Sequence, residues 1–135
     1  MMKATELMVG NIVEIDGKPQ RIRSVTRRKV AYCRLNSPNQ SYARIHDIAP
    51  IPITEELLVR IGLKRENVIC SEKYFFKNIP NYTIVVKSHS NTIGRDWSVH
   101  IDNDDADSVA DVDIQYLHQL QNLLNIMDIK LDFVV

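Results

Sequence analysis

Two prolines one residue apart, Pro50 and Pro52, divide this chain into unlike parts. Each ring fixes its own φ, removes a backbone donor and biases the preceding residue away from helix. Ala49 to Ile53 is therefore an extended connector. Directly after it, Thr54 is placed to cap a helix. Glu55 and Glu56 occupy the first turn, where negative charge meets the positive helix end. Leu57, Leu58 and Ile61 make a one-sided apolar stripe, and Gly62 is placed to end the helix in a left-handed conformation.

The segment before the prolines reads as short strands and tight turns. Gly10 to Gly17 frames the first strand, and Asp16-Gly17 is a hairpin-turn signal. Ile22 and Val25 mark a second strand, Thr26-Arg27-Arg28-Lys29 a hairpin tip, and Val30 to Leu35 a third strand. Asn36 to Gln40 is a loop. Tyr42 to Ile48 reads as a fourth strand, with Tyr42, Arg44 and His46 on the face opposite Ala43, Ile45 and Asp47. Residues 1–53 are expected to form an SH3-like bent β-sheet or small barrel.

Residues 54–135 read as an α+β part that begins with the capped helix. A strand with an irregular start is expected within 67–77, around Val68, Ile69, Tyr74, Phe75 and Phe76. Tyr82 to Lys87 is apolar on both faces, as a central strand would be, and Ser88 to Gly94 is a polar loop. Arg95 to Ile101 alternates, with Trp97, Val99 and Ile101 on its inner face. An acidic turn at 102–108 leads to a short strand, Val109 to Ile114. A final helix, Tyr116 to Met127, places Leu117, Leu120, Leu124 and Met127 on one face. Lys130 to Val135 fits an edge strand. The expectation is one α+β unit: the N-terminal sheet, a short helix, a β-meander, and a C-terminal helix packed on the sheet.

Composition narrows the class. The chain is 44% apolar and 25% charged, which excludes a disordered tail, a coiled coil and a collagen-like repeat. The 17 basic and 17 acidic side chains cancel. They are unevenly placed: residues 1–35 hold eight basic and three acidic groups, and residues 96–135 hold one and nine. Cys33 and Cys70 make no disulfide framework and are read as buried thiols. No secretory or membrane-spanning run is legible, so a cytoplasmic protein without membrane contact is expected.

Four blocks carry a family resemblance: MKATELMVGNIVEIDGK, IAPIPITEELLVRIGLK, WSVHIDND and YLHQLQNLLNI. In that order they resemble a group of short uncharacterised proteins of Bacteroides-type gut bacteria, their prophages and mobile elements. They cover somewhat under half the chain. The segment Cys70 to Ser90 lies outside the resemblance, and Leu124-Asn125-Ile126 departs from it. The resemblance implies a phage or mobile-element setting. It transfers no site residue.

Three functions are weighed on the residues. The leading expectation is a non-enzymatic adaptor that binds another protein through Gln115, Gln119 and Asn122 on the final helix. The second is a nucleic-acid-binding module using Arg21, Arg23, Arg27, Arg28, Lys29, Tyr32 and Arg34, with Tyr32 or Tyr42 stacking on a base. The third is a small enzyme around His100, where Asp102 on the same strand face could orient the imidazole and Ser98 lies alongside. No phosphate-cradling glycine loop and no strand-to-helix nucleophile elbow occurs. The acidic run from Asp102 fails as a calcium loop, because Ala106 and Asp107 fall where a ligand and a glycine are required. No metal or cofactor is expected.

Overall fold

A computed structural model describes residues 2–35, 37, 39–66, 74–88, 97–131 and 133. The readings of a strand start at Val68 and Ile69, of a buried Cys70, and of the loop's end at Gly94 lie outside them. The chain divides into two compact units, Met1–Pro52 with Tyr116–Lys130, and Ile53–Gln115 with Leu131–Val135.

The first unit holds β1 (Ile12–Ile15), β2 (Lys18–Val25), β3 (Lys29–Arg34), β4 (Gln40–Arg44) and β5 (Ile48–Ala49). They form one antiparallel sheet in the order β4-β3-β2-β1-β5. Asp16 and Gly17 both take positive φ, 55° and 75°, the mirror-image turn whose twist matches a hairpin. Val13, Ile15, Ile22, Val30 and Ile48 pack from one face of the sheet against Met2 and Leu7.

The sheet stays open. β4 and β5 are its edges and do not pair, so the strands do not close into the expected barrel. The fourth strand is also shorter than expected. It stops at Arg44, a 3-10 turn covers Ile45–Asp47, and Ile48 then pairs with Ile15. The reason is parity. A straight strand from Tyr42 to Ile48 would carry Asp47 onto the face of Ala43 and Ile45, which pack against the core. The turn leaves Asp47 exposed and delivers Ile48 to the core instead.

The last helix, α2 (Leu117–Ile126), belongs to this first unit. Leu117, Leu120 and Leu124 are buried, and so is Gln121. Gln121 Oε1 accepts from the Ile12 amide at 2.8 Å, and its Nε2 donates to the Gly10 carbonyl at 3.3 Å. Asn122 Oδ1 accepts from Asn11 Nδ2 at 2.7 Å, and its Nδ2 donates to the Glu6 carbonyl at 3.0 Å. This polar seam fixes the helix to the entry of β1. Replacing Gln121 by Leu will strand the buried Ile12 donor. It should cost about 1–3 kcal/mol, measured by urea denaturation.

The second unit holds α1 (Glu55–Arg60), β6 (Lys64–Glu66), β7 (Tyr74–Ile79), β8 (Tyr82–Ser88), β9 (Trp97–Asn103) and β10 (Ser108–Ile114). Its strands form an antiparallel sheet in the order β10-β9-β8-β7-β6. The chain is mixed α+β, dominated by two antiparallel sheets. Thr54 Oγ1 accepts from the Leu57 amide at 3.2 Å, and Gly62 follows the helix at φ +99°. Phe75, Ile84, Val86, Trp97, Val99 and Ile101 are buried on one face of the sheet. Strand β6 has no apolar alternation to announce it; pairing with β7 makes it a strand. Lys130, Leu131 and Phe133 form no strand.

Candidate nucleic-acid interface

The β2–β3 turn is tied down by its flanks. Thr26 N–H donates to the Lys29 carbonyl at 2.9 Å, as does Thr26 Oγ1, which accepts from the Lys29 amide at 3.2 Å. The Ile45 amide donates to the Arg28 carbonyl at 3.1 Å. Thr26 and the chain after β4 thus hold the turn backbone. Arg27 and Arg28 are left exposed between two anchored positions.

Strand register decides which other cations join them. Lys29 lies opposite Arg44, and Ala31 opposite Tyr42. On an antiparallel pair such partners share a face. The Lys29 ammonium sits 5.1 Å from the centre of the Tyr42 ring, and Tyr42 is 63% exposed. Gln40 Nε2 donates to the Tyr42 hydroxyl at 3.2 Å. On β2, Arg21 lies opposite Cys33. A bulge between Ile22 and Ser24 leaves Arg23 as the extra residue, and its Nε reaches Cys33 Sγ at 3.1 Å. Arg21, Arg23, Lys29, Tyr42 and Arg44 therefore share the outer face of β2–β3–β4, with Arg27 and Arg28 at its hairpin tip.

Tyr32 and Arg34 do not join them. Tyr32 lies opposite Ile22 and packs on the core cluster, and Arg34 lies opposite Gln20. The sequence grouping mixed two faces of one strand. Arg44 was left out of it, and Tyr42 rather than Tyr32 is the exposed ring. The i, i+2 spacing of Tyr42 and Arg44 carried that signal once the turn length fixed the register.

Charge is also better resolved by unit than by chain. The first unit contains ten Lys and Arg against five Asp and Glu, a net +5 that the neutral chain conceals.

The other candidate residues are placed elsewhere. Gln119 Oε1 accepts from the Tyr116 amide at 3.0 Å, an N-terminal cap of α2. The Gln115 carbonyl accepts from the Ile53 amide at 3.0 Å. Asn122 is half-buried in the seam described above. His100 Nε2 lies 2.8 Å from Asp102 Oδ1, the pairing that their shared strand face suggested. Ser98 is buried and its Oγ donates to Asp113 Oδ1 at 2.9 Å, so this hydroxyl is directed at a carboxylate rather than at the imidazole. The acidic run is a β9–β10 turn in which Asn103 Oδ1 accepts from the amides of Asp105 and Asp107, both at 3.0 Å. No cluster of three metal-ligating side chains occurs among the described residues.

His118 is 2% exposed, stacked on Tyr116 at 5.9 Å, and its Nδ1 has no hydrogen-bond partner among the described residues. Burial pushes its imidazole below the ordinary value of 6.5, and the Glu6 carboxylate pulls partly back. The folded protein thus favours neutral His118, while the unfolded chain binds a proton near pH 6.5. Stability from this group is complete above that pH. It falls as the pH drops through the unfolded value toward the folded one. Denaturation midpoints measured between neutral and mildly acidic pH should drop more steeply for the native chain than for His118→Gln.

Compared with protein-family models, curated proteins and solved structures, the chain matches none. Among the described residues no helix is long and apolar enough to cross a membrane.

Proposed function

We propose that the first unit binds single-stranded nucleic acid on the outer face of β2–β3–β4. The observation that carries this reading is the exposed Tyr42 ring with the Lys29 ammonium above it, on a face shared with Arg44 and ending in the Arg27–Arg28 tip. Cations along a sheet track phosphates without reading sequence, and an exposed ring offers a base its π-face. The surplus of positive charge in this unit supports the same reading. The neutral helix face that suggested a protein adaptor has Gln121 and Asn122 engaged inside the unit, which weakens that alternative.

The test is a fluorescence anisotropy titration of short single- and double-stranded DNA and RNA at low and physiological salt. Single strands should bind more tightly than duplex, with affinity falling steeply as salt rises. Absence of binding to any of them at low salt would reject the function.

A further inference from the structure

We propose that the opposite, inner face of β2–β3 carries a separate site for a small organic phosphate of nucleoside size. A cavity of about 430 Å³ opens there, bordered by Asp16, Lys18, Gln20, Tyr32, Arg34 and Ser41. Its volume lies in the range of small-molecule sites.

The observation that points to a ligand is Gln20. It is only 6% exposed, in a row otherwise occupied by Val13 and Ile22, and among the described residues its Oε1 meets no donor. A buried amide oxygen without a donor costs free energy that a leucine in the same row would not. The amide borders the cavity, and its last torsion is soft enough to turn either end toward it. A bound molecule with an N–H or O–H group would supply the missing donor.

The remaining lining sets the other half of the ligand. Arg34 lies directly opposite Gln20, and Lys18 lies two residues before Gln20 on the same strand face. Two cations against the one carboxylate of Asp16 favour an anion, and a guanidinium suits the paired oxygens of a phosphate. The half-buried Tyr32 ring and the Ser41 hydroxyl complete an amphipathic wall. A phosphate at Lys18 and Arg34 with a donor-bearing body at Gln20 and Tyr32 matches the two cations, the unpaired amide oxygen and the ring. The site is distinct from the proposed nucleic-acid face, because β2 and β3 separate them.

The test is an NMR titration of the labelled protein with adenosine, guanosine, cytidine and uridine monophosphates, and separately with inorganic phosphate. Saturable amide shifts should cluster at Lys18, Gln20, Arg34 and Ser41 and include the Gln20 side-chain amide. Inorganic phosphate, lacking the nucleoside body, should bind at least tenfold more weakly than the best nucleotide. Gln20→Leu should keep or raise the melting temperature while weakening that nucleotide tenfold or more. Arg34→Ala, at an exposed position, should weaken it as much and leave the fold intact, so it decides the matter if the Gln20 variant does not fold. Shifts confined to Arg27–Lys29, equal binding by the Gln20→Leu protein, or no saturable shift at millimolar nucleotide would each overturn the site. The first of these would leave the outer-face reading standing.

Discussion

Replacing Arg27, Arg28 and Lys29 together by Ala will flatten the salt dependence of single-strand binding. Each phosphate that goes unneutralised takes about 0.7 from the slope of log affinity against log salt, so three such phosphates take about 2. Electrostatic contributions fade toward molar salt, which makes the drop in affinity about a hundredfold at roughly 0.1 M. The variant should fold, because all three side chains are exposed and the turn is held by Thr26 and by backbone bonds. Tyr42→Ala tests the other half of the face. Its effect should be a weakening of about 1–3 kcal/mol with the slope retained, since stacking releases few counterions. Tyr32→Phe should leave binding unchanged. An unaltered slope in the triple variant would mean that these cations only guard a hairpin end and an edge strand against other sheets.

What was legible in the sequence, and what was not, follows from the range of the interactions involved. The connector at Pro50 and Pro52, the Thr54 cap, the Gly62 stop and the Asp16-Gly17 turn are local events, and each is present in the fold. Strand existence was mostly legible too, because alternation is local. Facing was not. Whether Tyr32 or Tyr42 is exposed depends on the β3–β4 register and on the bulge at Arg23, both set by pairing between separate strands. The polar face of α2 failed for a related reason. A row of Gln and Asn reads as solvent-facing by composition. Here Gln121 and Asn122 satisfy backbone groups more than a hundred residues away, at Glu6, Gly10 and Ile12. Nothing at positions 115 to 125 encodes that partner; it exists only once α2 and β1 are brought together.

The same distinction makes Tyr74, Phe75 and Phe76 a sharp test of the second unit. Phe75 and Phe76 are equivalent by hydropathy, yet on a strand successive residues face opposite ways. Phe75 is fully buried opposite Val86, and its ring meets Trp97 edge-on at a centroid distance of 6.0 Å. Trp97 in turn donates its indole N–H to the Ile53 carbonyl at 3.1 Å. Removing the Phe75 ring therefore opens a cavity against the largest aromatic of this core and loosens the packing that sets its hydrogen bond. Phe75→Ala should cost about 3–5 kcal/mol, a large share of the roughly 5–15 kcal/mol that holds a domain folded. Phe76, half-buried on the other face, should cost distinctly less when truncated. Urea titration followed by the fluorescence of Trp97, the single tryptophan, reads this core directly. Should Phe76→Ala prove as costly as Phe75→Ala, the register of β7 against β8 would be off by one residue, with Phe76 rather than Phe75 on the buried face.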